Sequence, residues 1–280
     1  MTKPSGFIDA HVHVWTDEFE TYPLFPPFTP ADMEPHTATP EAFLEHARRS
    51  DVDRAVLIQM SYYGYDNSYM LDVIRRFDGV FRGVAVVNWR SDHPEQEMCE
   101  LAKQGIRGFR IYAETAPEAA CLELDGVRKM FRCAEQERLA MCLLCVPETL
   151  PAITDCCSRF PEAPVVIDHL AQVGMDGMIH AEDVRRLCAL SRFAHVKVKV
   201  SAFYALGAKR PPHRELLPLI RRVYDAFGPQ RLMWGSDCPF QLAQETYEDS
   251  ISLIRDQADF LSEDDKQWLF RRTAESMFFA

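Results

Sequence analysis

Two histidines separated by one residue close the first apolar run of the chain, in the segment FIDAHVHVW. Alternate residues of a β-strand point to the same side, so His11 and His13 would face one side if Phe7–Val12 is a strand. Two neutral imidazole nitrogens at that point could serve a metal ion or a reacting group. Asp9 precedes them with the same alternation. Two unrelated histidines at a strand end are the alternative interpretation of this pair.

A carboxylate follows the last apolar run, in the segment RLMWGSDCPF. The glycine and serine before Asp237 and the proline after it favour a sharp turn that projects the carboxylate from the end of a strand. An aspartate that only stabilises the turn is the alternative. In a closed barrel of eight strands the first and last are neighbours, so Asp237 would lie beside His11 and His13.

His169 closes another apolar run, in the segment APVVIDHLA. We interpret it as a third imidazole of the same site, and a histidine packed in the core is the alternative. We expect the side chain of Asp168 to point away from His169, towards the helical layer or a neighbouring backbone donor. The remaining histidines fall in helices, loops or strand beginnings and are interpreted as structural or solvated: His36, His46, His93, His180, His195 and His213.

Eight short apolar runs could position these side chains. They are short and mostly apolar on both faces, which is typical of parallel strands covered by helices. The predicted strands are Phe7–Val12, Arg54–Met60, Phe81–Val87, Ile106–Ile111, Leu139–Val146, Pro164–Ile167, Val196–Val200 and Arg231–Trp234.

Helical patterns separate these runs, and two more follow the last, at about 246–260 and 263–278 with Ser262 as the cap of the second. The alternation predicts an α/β fold, a (β/α)₈ TIM-like barrel that forms a single domain over residues 1–280. A doubly wound open sheet is the alternative, but no run is followed by a glycine-rich phosphate loop. Catalytic residues of such barrels lie at the carboxyl ends of the strands, where His11, His169 and Asp237 are predicted.

The longest irregular stretch, at about residues 15–38, directly follows His13 and contains five prolines and several aromatic residues. Its composition predicts a loop without helix. Because it leaves the first strand at the catalytic face of the barrel, we expect it to cover the active site.

The net charge of −11 disfavours nucleic acids and anionic membranes as partners. No apolar segment has the length of a signal peptide or a membrane span, so we expect a cytoplasmic protein. The nine cysteines should then stay reduced. Cys142 and Cys145 form a C-x-x-C pair, but they lie in an apolar run that indicates a buried strand.

The motifs DAHVHVW, GFRIY, VIDHLA and WGSDCPF, at these positions relative to eight strands, resemble the amidohydrolase superfamily. The chain is most similar to the branch that contains 2-pyrone-4,6-dicarboxylate and sugar-acid lactonases. This resemblance implies that His11, His13, His169 and Asp237 form the catalytic site and the ligand set of any bound metal. It also implies that Asp237 is the general base that activates water.

Departures from the superfamily pattern limit the metal content. The fourth strand ends in GFRIYA without a lysine that could be carboxylated, and the fifth ends in LLCVPE without a histidine. The two-metal site of the superfamily therefore cannot form. We expect at most one divalent ion, zinc or manganese, or none.

Further polar and aromatic residues follow the predicted strands and could contact a substrate. Arg110 ends the fourth strand, and a guanidinium binds a carboxylate through two parallel hydrogen bonds. Salt bridges or loop contacts are the alternative for each residue of this set. The predicted substrate-binding residues are Arg110, Asn88, Arg90, Lys199, Tyr62 and Trp15. Together they predict a small substrate that is anionic or polyhydroxylated.

Three functions are compatible with these patterns. The first is a lactonase in which water activated at Asp237 opens a cyclic ester of a sugar acid or of a pyrone or muconolactone carboxylate. The second is a metal-dependent decarboxylase of aromatic or amino-muconate acids, a branch that usually has histidines after both the fifth and the sixth strand. The third is an inactive barrel that binds a small ligand. The oligomeric state is open.

Overall fold

In the computed structural model, which describes residues 6–280, eight parallel strands follow one another around a single sheet. Each predicted run overlaps one strand, and the ends of the strand differ from those of the run by at most two residues. The strands are β1 (Phe7–Val12), β2 (Val52–Ile58), β3 (Phe81–Ala85), β4 (Ile106–Ala113), β5 (Ala140–Cys145), β6 (Val165–Ile167), β7 (Val196–Ser201) and β8 (Leu232–Gly235).

The barrel closes between β1 and β8 through the segment that carries the candidate site. The amide of Asp237 donates to the carbonyl of His11 at 2.9 Å, and the amide of His13 donates to the carbonyl of Cys238 at 2.8 Å. These bonds make β1 and the end of β8 direct neighbours, so the prediction of a (β/α)₈ barrel is confirmed. The same bonds fix the imidazole pair against the carboxylate.

Ten α-helices are present among residues 6–280. Side-chain caps begin several of them: the hydroxyl of Thr39 accepts from the amide of Ala42, and the predicted cap Ser262 accepts from the amide of Asp265. The helices are α1 (Pro40–Ala47), α2 (Ser68–Arg76), α3 (Pro94–Ala102), α4 (Ala116–Ala119), α5 (Asp125–Glu137), α6 (Leu150–Arg159), α7 (Ala181–Ala189), α8 (Leu217–Phe227), α9 (Tyr247–Gln257) and α10 (Glu263–Gln267). In this range no helix has the length and apolar character that a membrane span needs.

The last helix differs from its prediction. We expected one continuous helix at about 263–278, whereas α10 gives way to wider, π-helical turns at Trp268–Arg272 and Glu275–Phe279. These turns bring Phe278 under the barrel, where it is fully buried with the side chains that fill the interior. Most of the interior residues are small or branched, and the interior includes Ile8, Ala10, Val56, Ile58, Val84, Ala140, Cys142, Val166 and Met233.

The irregular stretch after β1 is closed at its base by a short antiparallel bridge. The amide of Trp15 donates to the carbonyl of Ala38 at 2.9 Å, and the amide of Ala38 donates back at 3.0 Å. Between these residues the chain contains one short 3₁₀ turn, Pro30–Asp32, and no α-helix. The paired base fixes both ends of the loop, so the loop folds over the β2 side of the barrel mouth.

Candidate active site

The structure brings the four predicted catalytic residues together at the carboxyl ends of the strands. The Nε2 atoms of His11 and His13 lie 3.5 and 3.3 Å from the Oδ1 atom of Asp237. The ring of His169 lies 4.3 Å from the ring of His11, measured between centroids. All four side chains are buried. A carboxylate surrounded by three imidazoles is therefore the centre of the barrel mouth.

Unusual backbone conformations direct two of these side chains. His169 begins a turn of four residues, His169–Gln172, whose φ angles lie between 51° and 54°, and Asp237 has a φ of 65°. Residues other than glycine rarely adopt this left-handed region of backbone conformation. Gly235 allows the close approach of β1, because a Cβ atom there would lie 2.8 Å from the Cβ of His11. The site is therefore held by strained local geometry that tertiary packing must impose.

Asp9 does not join the site, although it shares the alternation of the two histidines. The pairing of β1 with β2 is irregular between Asp9 and Val12. The Asp9 carboxylate instead accepts hydrogen bonds from Ser236 and from the hydroxyl of Tyr247. Burial raises its pKa to about 6, although these hydrogen bonds lower it. Its role is to fasten the turn after β8 to β1.

Asp168 points into the barrel interior, so the expectation that it faces the helical layer or a neighbouring backbone donor is wrong. Its Oδ2 atom lies 2.9 Å from the Nη2 of Arg110, and its Oδ1 atom lies 3.0 Å from the Nζ of Lys199. Burial would raise the pKa of Asp168, but Lys199 and Arg110 hold it well below its usual value. Cations from β4 and β7 therefore decide where this carboxylate points.

A relay of hydrogen bonds orients the two histidines of β1. The Nζ of Lys199 lies 3.2 Å from the Nδ1 of His11, and an ammonium can only donate. The Nε2 of His11 faces the Nε2 of His13 at 3.3 Å and the Nη2 of Arg110 at 3.3 Å. The Nδ1 of His13 donates to the carbonyl of Ile58 at 3.0 Å. Burial and the charge of Lys199 lower the pKa of His11 well below its usual value.

Asp237 retains one carboxylate oxygen without a hydrogen-bond donor. Its Oδ2 atom accepts from the hydroxyl of Tyr204 at 2.7 Å, whereas its buried Oδ1 atom has no such partner. Burial would raise the pKa of Asp237, but the rings of His169, His13 and His11 more than offset this effect and lower the pKa. Asp237 is therefore ionised at neutral pH, and its Oδ1 atom lies among the imidazoles.

A cavity of about 400 Å³ opens above this centre, a volume within the range of small-molecule sites. Its polar lining includes His13, His169, Asp237, Arg110, Gln59, Ser61, Tyr112, Glu114, Gln172 and Tyr204, and its apolar lining includes Met60, Leu144, Met175, Leu206 and Phe240. His11 is fully buried beneath this lining. Polar groups thus converge on one side of a partly apolar pocket.

Arg110 is the predicted substrate contact that lines this cavity. Its pKa is raised, because the ion pair with Asp168 outweighs the effect of burial. The Nη2 atom is used by Asp168, whereas the buried Nε atom has no hydrogen-bond partner. Arg110 therefore has a fixed position at the cavity wall, and its buried Nε donor remains unpaired.

The other predicted substrate contacts lie elsewhere. Lys199 is fully buried beneath His11, because it pairs with Asp168. Trp15 is also fully buried, and its ring packs edge to face against Tyr62 with centroids 5.4 Å apart. These three side chains do not line the cavity and instead support it from below and from the side.

The two predicted contacts after β3 lie away from the catalytic centre. The side-chain oxygen of Asn88 accepts from the backbone amide of Arg90 at 3.0 Å, which stabilises the turn. The Arg90 side chain is exposed and lines a second cavity beside the first. Neither residue lines the cavity above Asp237.

Tyr204 is a site residue that the sequence analysis missed. It follows β7 in the segment VSAFYA and holds the Oδ2 atom of Asp237. Its position after a predicted strand is a signal that could have identified it. Tyr112 could have been found in the same way, because it lies two residues after Arg110 on β4 and faces the same side.

The residues fit one metal ion. The ligand atoms of His11, His169 and Asp237 all lie within 4.8 Å of one another, and two nitrogens with one carboxylate oxygen suit zinc or manganese. The end of β4 supplies Arg110, and the end of β5 supplies Cys145, whose buried thiol has a pKa well above its usual value. Within residues 6–280, these ends provide no lysine or histidine for a second ion.

Comparisons with known proteins agree with this architecture. The chain is 28% identical over 242 residues to L-fucono-1,5-lactonase of Burkholderia ambifaria, covering 83% of this chain and 80% of that protein. It is 27% identical over 269 residues to 2-pyrone-4,6-dicarboxylate hydrolase of Comamonas testosteroni, covering 90% and 82%. The fold matches a zinc-bound amidohydrolase from Burkholderia multivorans with a TM-score of 0.83 and 21% identity, covering 98% and 99%.

The family comparison covers nearly the whole chain. Residues 8–280 match the amidohydrolase family, a range that includes every strand from the second residue of β1 onwards and all four residues of the catalytic centre. This protein therefore belongs to the amidohydrolase family.

Proposed function

We propose that this protein is a lactonase in which Asp237 activates water against the carbonyl of a small cyclic ester. The observation that carries the proposal is the ionised Oδ1 oxygen of Asp237, which has no hydrogen-bond donor in a centre of three imidazoles. Relatives along most of the chain are named as hydrolases of sugar-acid, sulfomuconic and pyrone lactones, which supports the same reaction class.

The reaction begins when Asp237 Oδ1 takes a proton from water and the water oxygen bonds to the lactone carbonyl carbon. The carbonyl oxygen becomes an oxyanion, which the imidazole of His169 stabilises. When the intermediate collapses, the ring C–O bond breaks and Asp237 returns the proton to the leaving alkoxide. Tyr204 holds the other oxygen of Asp237 throughout, so Oδ1 stays directed at the reacting atoms.

We propose an anionic or polyhydroxylated lactone as the substrate class. Arg110 provides a cation at the cavity wall of an otherwise acidic protein. Gln59, Ser61 and Tyr112 line the same cavity and can exchange hydrogen bonds with hydroxyl groups. A carboxylate beside Arg110 would place the ester carbonyl towards Asp237.

For the metal, we propose at most one divalent ion per chain. His11, His169 and Asp237 would hold it, with His13 beside them, and a bound ion would lower the pKa of water and polarise the carbonyl. Metal analysis of protein purified with added zinc or manganese should give a stoichiometry of one or less. Two tightly bound ions would contradict this proposal.

A panel of lactones tests the proposed function. The wild-type protein should open an aldonolactone or a pyrone carboxylate to the hydroxy acid, detected by mass spectrometry as the addition of one water. Parallel assays with and without a chelator show whether an ion takes part. Release of carbon dioxide from aromatic or amino-muconate acids, without ring opening, would support a decarboxylase. Tight ligand binding without turnover would support a binding protein.

A further inference from the structure

A second cavity of about 610 Å³ lies beside the catalytic cavity and shares Ser61, Arg110 and Tyr112 with it. We call this second cavity the annex. Its volume alone is within the range of small-molecule sites. Its other lining residues come from the loop after β1 and from the segments that follow β2, β3 and β4, and they include Phe25, Tyr65, Trp89, Arg90, Glu118 and Leu124.

Exposed apolar side chains are concentrated in the annex. Five large hydrophobic residues are exposed among residues 6–280, and three of them line this one cavity. Phe25 is 46% exposed, Tyr65 is 37% exposed and Leu124 is 45% exposed. Single exposed hydrophobic residues are ordinary on a protein surface, whereas a contiguous group marks a binding site. The annex therefore has an apolar wall that an apolar ligand group would cover.

The aromatic walls of the annex are fixed before any ligand binds. The amide of Phe25 donates to the carbonyl of Tyr62 at 2.7 Å, and the ring of Phe25 packs edge to face against Tyr65. Across the cavity, the carbonyl of Trp89 approaches Gly126 so closely that a Cβ atom there would collide with it. A preformed aromatic wall favours a flat, rigid ligand group, because little side-chain freedom is lost on binding.

A free cation lies on one wall of the annex. The guanidinium of Arg90 stacks 3.8 Å from the centre of the Trp89 ring, which leaves its edge donors available. No ion pair joins Arg90 to another residue of the described chain. Glu118 also lines the annex, but its carboxylate accepts the amides of Glu114 and Thr115 at 3.1 and 3.0 Å. An acidic group on a ligand would therefore find Arg90 unpaired.

We propose that the annex binds an aromatic substituent of the substrate and that Arg90 pairs with an acidic group on that substituent. This proposal rests on the proposed function for the identity of the reacting ring, which would lie in the catalytic cavity beside Arg110. The substrate class is then a lactone with an aryl substituent that carries a carboxylate. A small sugar-acid lactone would leave the annex empty.

Binding of the substituent alone tests the annex without any turnover. The chain has four tryptophans, so protein labelled with 5-fluorotryptophan should give four ¹⁹F signals. The signal that is missing in the Trp89→Phe variant is that of Trp89. Titration with 4-methylbenzoate should shift the Trp89 signal until it saturates. The neutral 4-methylbenzyl alcohol should bind about fivefold more weakly, the upper end of what an exposed ion pair contributes. Equal or tighter binding of hexanoate would contradict the aromatic preference.

Two variants separate the charge from the apolar wall. Arg90→Met should weaken the binding of 4-methylbenzoate about fivefold, to the affinity of the alcohol, because the ion pair is lost. The affinity for the alcohol itself should not change. Leu124→Asp places a carboxylate in the apolar wall and should weaken 4-methylbenzoate at least about tenfold. The matched control is Met178→Asp, because Met178 is also an exposed hydrophobic residue but lines neither cavity. Unchanged affinity in Arg90→Met or Leu124→Asp would overturn the proposal.

Kinetics with one lactone ring that carries either a methyl or a 4-carboxyphenyl substituent then distinguishes the two proposals. Leu124→Asp should lower kcat/KM for the aryl lactone at least about tenfold and leave the methyl lactone unchanged. Hydrolysis of lactones without binding of 4-methylbenzoate at Trp89 would overturn the annex proposal alone. Binding at Trp89 with no lactone hydrolysed would overturn the proposed function and leave the annex as a binding site.

Discussion

Two buried aspartates, Asp168 and Asp237, follow β6 and β8, yet their surroundings differ in kind. Asp168 lies beneath the cavity, between the cations of Lys199 and Arg110. Asp237 lines the cavity and is surrounded by imidazoles and one tyrosine hydroxyl, and within residues 6–280 no lysine or arginine forms an ion pair with it. Both carboxylates have lowered pKa values, but only Asp237 can reach a ligand.

Location at a strand end therefore does not by itself give a carboxylate a catalytic role. Ion pairs fix both oxygens of Asp168, and its charge balances cations that would otherwise be buried alone. Asp237 lines the cavity and is surrounded by imidazoles, which are groups that can exchange protons. Groups of the same type therefore take a structural and a chemical role according to what surrounds them.

The largest expected effect is on stability, in Asp168→Asn. The change leaves Lys199 and Arg110 buried without a counter-charge, which should lower the free energy of unfolding by about 3–5 kcal/mol. Urea denaturation measures this loss. The double variant Asp168→Asn/Lys199→Met should lose less, because one unpaired cation is removed. A free energy of unfolding within about 1 kcal/mol of wild type would contradict the structural role that distinguishes Asp168 from Asp237.

Asp237→Asn should show the opposite behaviour. Asparagine tolerates the left-handed backbone at this position, so the turn and the fold should survive. Turnover of the best lactone should fall at least about a hundredfold, because the proton acceptor is lost, while substrate affinity changes much less. Steady-state kinetics and a urea curve on the same preparation check both statements. Near-normal turnover in the folded variant would exclude Asp237 as the base.

Arg110→Met tests the cation that contacts both the buried cluster and the cavity. A substrate carboxylate would lose a charge-assisted pair, so kcat/KM should fall about 10- to 150-fold. Because Asp168 also loses a partner, the informative measure is the ratio of kcat/KM for a carboxylate-bearing lactone to that for its uncharged analogue. This ratio should fall with the variant. An unchanged ratio would remove Arg110 from carboxylate recognition.

Tyr204→Phe removes the hydroxyl that holds Oδ2 of Asp237 and leaves the ring in place. We expect kcat to fall about fivefold, corresponding to about 1 kcal/mol for one hydrogen bond, with little change in stability. The pKa of Asp237 should rise, because the donor to its ionised form is lost. Steady-state kinetics and a urea curve on the same preparation measure the effects on kcat and on stability. An unchanged kcat would show that this hydrogen bond does not position Asp237.

The smallest effect on kcat/KM is expected from a change of pH between 6 and 8. Burial lowers the pKa of His169 to about 4, and the pKa of Asp237 is also lowered, so neither group titrates between pH 6 and 8. These two groups should therefore contribute no change in kcat/KM over this range. The value of kcat/KM should fall below about pH 5, where His169 gains a proton and pairs with the base. A kcat/KM that stays unchanged down to about pH 4 would contradict this assignment of the acid limb to His169.

Much of the fold was predictable from the sequence, because it depends on local patterns. The eight apolar runs and the helical periods between them predicted the strands, their order and the barrel. Barrel closure then required the end of β1 to meet the end of β8, which places His11, His13 and Asp237 together. The motifs around these residues also identified the family, and residues 8–280 match it.

The predictions failed where side-chain direction depends on distant residues. Alternation along β1 grouped Asp9 with the histidines, but irregular pairing and the donors Ser236 and Tyr247 turn it away from the site. Lys199 was expected at the substrate, whereas the charge of Asp168 holds it beneath His11. Neither outcome can be read from one strand, because the deciding partners come from other strands and from α9.

Hydrophobic periodicity and chain order therefore encode which elements form and which strand ends meet. The direction of Asp168, the imidazole surroundings of Asp237 and the annex beside the catalytic cavity arise only when the chain has folded. Each of these depends on charges and rings that are far apart in the chain. A buried charged side chain points towards a counter-charge, because an unpaired buried charge is costly. The counter-charges are in place only after the barrel has closed.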